Sequence, residues 1–336
     1  MAFMMKRALL LAVAVVALCA AAPAPSPAAR APAEIVEAAP AADWAQIAPS
    51  DLLVMDLAPD AKGAARRVVI QLLPAPFSGG WIGNIRKLAA AKWWDGTSIN
   101  RVQDGYVVQW GDPDGEDKPK AKPLPAAVLK VPESDYSISL EAFLDAVVAK
   151  VAAQPNAGSA MVAALDGSAA IGPGPWARPD AYAKKLDFFK GWPLGGNAES
   201  VWPIHCYAAV GVGRDYPPDT GSGAELYAVI GQAPRQLDRN IAVVGRVIEG
   251  MEHLSSLPRG TGDIGFYKTA EERTPIRQIR IGTDVPDLPR YEYLSTESAS
   301  FARYADARAN RRDRFYIRPA GGVDICNVPV PVRRVK

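Results

Sequence analysis

The chain has 336 residues, 49% of them hydrophobic and 22% charged, a globular composition sufficient for one large domain or two modest ones. Its 38 Lys and Arg against 36 Asp and Glu leave a formal charge of +2, and no long basic run appears, which argues against a nucleic-acid footprint. The 30 prolines and 28 glycines require many loops.

In chain order, MAFMMKR supplies positive charge and ALLLAVAVVALCA an apolar core of signal-peptide length, with small residues at Ala20, Ala21 and Ala22. A signal peptide is expected over residues 1–21, cut after Ala21. The run is short for a bilayer span, so an uncleaved anchor is the lesser reading. The mature chain is therefore expected to be exported, to the periplasm if bacterial, without stable membrane insertion after cleavage. Residues 22–50 are rich in Ala and Pro and predict a flexible linker, with order beginning near Asp51.

DLLVMDL and RRVVIQLLP predict strands about a Lys62-Gly63 turn. Ile82, Ile85, Leu88 and Ala89 recur at helical spacing, with Ser78 as a candidate cap and Gly96 past the end. TSINRVQDGYVVQWGD then predicts a β-hairpin turning at Asp104-Gly105, with Arg101 and Gln109 as polar residues inside it. By alternation, Arg101 and Gln109 share parity with Ile99 and Val107.

Residues 116–202 change character and read as a long insertion, with a helix predicted in SLEAFLDAVVAKVAA. VWPIHCYAAVGVG, ELYAVIG, IAVVGRVIEG and TPIRQIRIGTDV predict further strands, and GMEHLSSLP a short helix. The extension at 286–336 holds one charged helical stretch, SASFARYADARANRRDRF, read as a solvated face. Many short strands, two helices and Gly-rich turns predict a closed antiparallel barrel or a sandwich.

Most familiar catalytic sets are absent. No CxxC, HExxH, GxSxG or P-loop occurs, so no metal or cofactor is expected. His253 reads as a surface residue and His205 as a local structural one, since adjacent strand residues such as His205 and Cys206 face opposite ways. Cys206 and Cys326, left after the signal, fit a bridge or two separate buried thiols equally well.

What remains is a constellation in two blocks. The first runs Asp95-Gly96-Thr97, Arg101-Val102, then Gly105-Tyr106-Val107-Val108-Gln109-Trp110-Gly111-Asp112. The second runs Gly221-Ser222-Gly223-Ala224-Glu225-Leu226-Tyr227-Ala228-Val229-Ile230, then Gln236-Leu237-Asp238-Arg239-Asn240, then Val243-Val244-Gly245-Arg246-Val247-Ile248-Glu249-Gly250-Met251. Order and spacing resemble a divergent cyclophilin-type peptidyl-prolyl cis-trans isomerase over about 67–115 and 208–255.

The resemblance implies a closed antiparallel eight-stranded barrel capped by two helices, spanning 51–285 apart from the insertion. It places Arg101 as the catalytic arginine and Gln109 as the substrate-contacting glutamine. Tyr106, Val107, Glu225, Tyr227, Leu237 and Ile241 fall at substrate-binding positions. Gln236 stands where the family has tryptophan or histidine, while Ile241 and Asn100 each replace a histidine. The implied ligands are proline-containing segments of unfolded or exported proteins. A peptide-binding or chaperone module with weak or no turnover is the alternative.

The chemistry suits such a residue set. Rotation about an X-Pro bond meets a barrier of about 18–20 kcal/mol from amide resonance, and no covalent step is required. An apolar pocket for the ring and a fixed cation that favours the twisted amide suffice, and an arginine fork can be that cation.

Overall fold

A computed structural model of the chain describes residues 29–115, 117–152, 174–176 and 179–335. The expected signal segment, with Cys19, lies outside these residues, as does residues 153–173 of the expected insertion.

Eight strands close into an antiparallel barrel: β2 (Leu52–Leu57), β3 (Arg66–Leu72), β4 (Ser98–Val102), β5 (Val107–Gly111), β10 (Ala209–Val212), β11 (Leu226–Val229), β12 (Val243–Glu249) and β13 (Thr274–Ile281). Around the barrel they run β10-β11-β5-β4-β13-β2-β3-β12, and pairing of β12 with β10 closes the ring. Alternation sorts the side chains. Met55, Val68, Ile70, Val108, Trp110, Leu226 and Ala228 point into one core, while Val69, Val107, Tyr227 and Val229 face outward.

Helix α2 (Gly79–Ala90) caps the barrel by burying Trp81, Ile82, Ile85, Leu88 and Ala89 in that core, the stripe its spacing predicts. Ser78 stands at the N-cap but does not cap. Its hydroxyl donates to the Val243 carbonyl at 2.7 Å, which ties the helix start to β12. The second cap, α4 (Glu252–Ser255), is one turn long and buries Leu254.

The insertion is part of the body. Its helix α3 (Leu140–Ala152) and a four-stranded sheet, in order β6 (Ile138–Ser139), β9 (Ser200–Pro203), β8 (Trp192–Gly196), β7 (Lys185–Phe189), send Phe143, Phe189, Trp192, Leu194 and Val201 into the main core. Tyr136 stacks on Trp81 of α2 at 5.2 Å. The stretch VWPIHCYAAVGVG, read as one strand, is two. It turns at His205–Ala208, where Ala208 has φ 68, so that β9 serves the insertion and β10 the barrel.

Two further expectations are corrected. Residues 29–50 are not a linker: they hold α1 (Pro32–Glu37) and β1 (Trp44–Ile47), and β1 pairs with β14 (Tyr291–Leu294) of the C-terminal extension. β14 also pairs with β15 (Val332–Arg334). Trp44 and Ile47 supply enough buried surface to order an otherwise Ala/Pro-rich stretch.

Nor is the C-terminal helix merely solvated. In α5 (Ala299–Ala309), Phe301, Tyr304 and Ala305 pack with Trp44, Trp202, Ile204 and Leu294 in a second core, and Ser298 caps its start by accepting from the Phe301 amide at 3.1 Å. Arg246 of β12 links all three regions. It donates to Gln71 of β3 and to the Gly191 carbonyl, and lies 4.6 Å from the Trp192 ring centre and 5.9 Å from that of Tyr293.

Asp187 of β7 gives the fold a pH signature. Its carboxyl is pushed up to about 6 from 3.8, chiefly by burial; the Phe188 amide opposes this and the Glu297 charge adds to it. Between about pH 4 and pH 6 the folded chain thus binds more protons than the unfolded one, so stability falls as pH rises through that window. Asp187→Asn is expected to flatten this part of the profile, read from urea midpoints across the same range.

Candidate functional site

One row of residues crosses five neighbouring strands on the outer face. Register pairs Arg101 with Gln109, Gln109 with Tyr227, Tyr227 with Gly211, and Gly211 with Val243. Directly opposed residues share a face. The Arg101 and Gln109 of the hairpin are therefore placed beside Tyr227, more than 100 residues later in the chain.

Arg101 reaches this face through a β-bulge. The β4–β5 register shifts between Ile99 and Arg101, so Ile99 lies in the barrel core while Arg101 turns outward. Simple alternation put the two on one face. Asn100 at the bulge is buried, accepting from the Ser98 hydroxyl at 2.6 Å.

The Arg101 guanidinium is held on several sides. Nε donates to the Ile264 carbonyl at 2.8 Å, Nη1 to Gln109 Oε1 at 3.2 Å, and Nη2 to Gln103 Oε1. Its centre lies 5.5 Å from the Phe266 ring and 5.8 Å from the Tyr106 ring. Burial lowers its pKa and Tyr106 partly opposes this, but a guanidinium stays charged at any working pH. Those bonds use three of the five N–H groups such a fork carries, leaving one on each terminal nitrogen for a ligand.

The apolar half adjoins it. Val107, Ala209, Tyr227, Val229 and Val243 form a buried cluster, with Tyr106, Leu237 and Ile241 half-buried against it. Five of the six expected substrate-binding residues therefore meet: Tyr106, Val107, Tyr227, Leu237 and Ile241. Gly211 is needed here, since a Cβ at that position would lie 2.3 Å from the Tyr227 ring and hydroxyl. Glu225 lies outside the cluster, just before β11, where Oε1 accepts from the Asp112 amide at 2.7 Å and braces the end of β5. Gln236 is exposed on the short 3-10 turn Arg235–Leu237 that presents Leu237.

Gln103, Ile264 and Phe266 also surround Arg101, and none of the three stands out in the sequence as a site residue. Gln103 had one available signal, its position two residues from Arg101 along the strand direction. Phe266 had none, because it arrives from a loop more than 160 residues later, tied to β4 by the Arg101–Phe266 bridge and by the Tyr267 amide donating to the Asn100 carbonyl at 2.9 Å. His205 was read as local and structural; it is fully buried and joined to Tyr227 and to Asp238. Cys206 is bonded to Cys326, which decides between the two readings of the cysteines. Among the described residues no group of three or more His, Cys, Asp or Glu is placed to hold a metal ion, and no helix is long and apolar enough to cross a membrane.

A closed eight-stranded antiparallel barrel with two capping helices, bearing an arginine, a glutamine and an apolar cluster in one outer row, is a cyclophilin-like arrangement. The family model for cyclophilin type peptidyl-prolyl cis-trans isomerase/CLD matches residues 80–283, and the chain belongs to that family. Among solved structures, the chain is similar to the cyclophilin AquaCyp293 from Hirschia baltica, at 17% identity and TM-score 0.59, covering 87% of this chain and 94% of that one. A Cryptosporidium parvum cyclophilin type peptidyl-prolyl cis-trans isomerase, solved in the presence of the dipeptide Ala-Pro, aligns at 11% identity and TM-score 0.35, over 68% of this chain and 98% of that one. No curated protein sequence matches the chain.

Proposed function

We propose that this chain is an exported peptidyl-prolyl cis-trans isomerase that assists folding of exported proteins, with Arg101 as the catalytic cation and Gln109 as its brace. The observation that carries the reading is the Arg101–Gln109 pair set in one row with the Tyr106, Val107, Tyr227, Leu237 and Ile241 cluster. A proline ring seated on the cluster would bring its amide beside the guanidinium. As the C–N bond twists, the nitrogen lone pair localises and becomes an acceptor for one of the remaining Arg101 N–H groups. That contact is strongest at the twisted state, so it lowers the barrier rather than merely tightening binding. Gln109 holds the fork in place and needs no proton transfer to do so.

Two observations support export: the apolar run following MAFMMKR, and the Cys206–Cys326 bridge, which suits an oxidising compartment. A second reading, a peptide-binding module with weak turnover, is favoured by exposed Gln236, which stands where the family carries an aromatic or histidine. A protease-coupled isomerisation assay on an Ala-Pro peptide separates the two. Acceleration by the wild-type chain is expected. Peptide binding without acceleration would establish the module instead, and the absence of both binding and acceleration would overturn the site reading.

A further inference from the structure

Behind the Tyr227 ring runs a chain of buried polar groups that amide rotation itself does not use. His205 Nε2 lies 2.9 Å from the Tyr227 hydroxyl, and His205 Nδ1 lies 3.0 Å from Asp238 Oδ1. The same carboxylate accepts from the His205 amide at 3.0 Å and from Arg235 Nε at 2.7 Å. Arg235 then spans to Asp180 of the insertion with two bonds of 3.2 Å. His205 is fully buried, and Arg235, Asp238 and Tyr227 nearly so.

The proton positions follow from the partners. A carboxylate paired with arginine only accepts, so Nδ1 donates to Asp238 and Nε2 is left to pair with the Tyr227 hydroxyl. A phenylalanine at this position would need no partner, whereas a buried tyrosine hydroxyl does. Arg235 and Asp238 flank Leu237 on the pocket turn, so the relay holds a pocket ring at one end and a pocket loop along its length. Its outer end belongs to the insertion, and His205 is adjacent to Cys206, which is bonded to the C-terminal extension.

We propose that His205, Asp238 and Arg235 are positioning residues of the isomerase pocket: they fix the Tyr227 ring and the Leu237 turn, and through Asp180 they make the insertion part of the active-site frame. This rests on the Arg101 reading of the site. Because the relay shapes the ring pocket and not the cation, its loss shows in KM and that of Arg101 in kcat.

His205→Ala is expected to raise KM for an Ala-Pro peptide about tenfold while kcat changes less than about twofold. His205→Gln, which keeps a donor and an acceptor, is expected to recover most of the loss. If His205 acts through the Tyr227 hydroxyl, adding His205→Ala to Tyr227→Phe costs clearly less than adding it to wild type. Should His205→Ala fail to fold, Asp238→Asn serves instead, since it keeps the shape but has one acceptor oxygen where the carboxylate serves His205 and Arg235 with two. An unchanged KM in these variants, or full additivity with Tyr227→Phe, overturns the proposal. Arg101→Ala run in parallel separates the failures: if it too leaves turnover intact, the site reading falls; if it alone abolishes turnover, only the relay falls.

A second inference rests on a different feature, at the far end of the C-terminal extension. Between Arg308 and Arg318 the chain carries five arginines and one aspartate. At the tip of this loop Phe315 is 82% exposed and Ile317 94%, with Tyr316 exposed between them. The tip is pre-formed: Asp313 pairs with Arg311 at 2.7 Å, Arg311 lies 4.2 Å from the Tyr316 ring centre, and Phe315 meets Tyr316 edge-on at 5.2 Å. Arg312, Arg314 and Arg318 are exposed and make no hydrogen bond or ion pair among the described residues.

Three consecutive large side chains, Phe315, Tyr316 and Ile317, stand exposed on one loop, a cost in water that burial in a lipid interface removes. Their arginine flanks complement negative charge. We infer that this tip docks the exported chain on an anionic lipid surface. The chain from Ala22 onward, which keeps every described residue, is expected to sediment with phosphatidylglycerol-containing vesicles and not with phosphatidylcholine vesicles, and to be released by high salt. Phe315→Ser with Ile317→Ser is expected to cut the bound fraction about fivefold or more, leaving isomerase activity unchanged. Equal binding to both vesicle types, unchanged binding of the variant, or binding to an acidic protein in place of vesicles overturns the inference.

Discussion

Arg101→Ala is expected to lower kcat/KM about 100-fold, a loss of about 2.7 kcal/mol of transition-state stabilisation, the scale seen when one preorganised donor is removed. The fall belongs mainly in kcat, because an untwisted amide nitrogen is a poor acceptor and the ground-state complex gains little from the guanidinium. Arg101→Lys keeps a charge but not the planar fork. It cannot reach the Ile264 carbonyl, Gln109 and Gln103 together as the arginine does, and is expected to recover only part of the rate. Gln109→Ala acts one step removed, by loosening the fork, and is expected to cost less than Arg101→Ala. Arg101 is only half-buried on the outer face and contributes nothing to the barrel core, so thermal unfolding should stay close to wild type. Progress curves for an Ala-Pro peptide, read as kcat and KM separately, check this. An Arg101→Ala chain as fast as wild type would end the assignment.

Most of the barrel was legible because its strands carry their own boundaries. In β4 and β5 the Asp104-Gly105 turn and alternating apolar residues set a hairpin, and Arg101 and Gln109 stood out against that alternation. The bulge before Arg101 was not legible, since one extra residue leaves composition and periodicity nearly unchanged while reversing which face a side chain takes. Trp44 and Ile47 were hidden by the Ala/Pro background, although two large apolar side chains sufficed to build β1 once β14 was there to pair with. In α5 the arginines masked Phe301, Tyr304 and Ala305, whose spacing is helical and whose partners lie in distant segments. His205 was legible only as an isolated histidine: its partners are Tyr227 and Asp238, 22 and 33 residues away, and nothing local announces either.

Loss of the Cys206–Cys326 bridge is expected to have the largest effect on stability. The bond closes a loop of 120 residues, which in the chain-entropy treatment stabilises the folded state by about 5 kcal/mol. It joins the turn between β9 and β10 to the short 3-10 segment Ile325–Asn327, and so fastens the C-terminal extension to the second core, where Ile204 meets Ile325 and Val328. Cys206→Ser with Cys326→Ser is expected to lower Tm on the order of 10 °C, and dithiothreitol is expected to bring wild type to the same value. Because Cys206 follows His205 directly, a part of this loss should also reach the pocket: the reduced chain is expected to show a raised KM before global unfolding begins. A reduced chain that keeps the oxidised Tm would show that the second core holds the extension without the bond. One that loses Tm but keeps KM would confine the bridge to stability and detach it from the His205 relay.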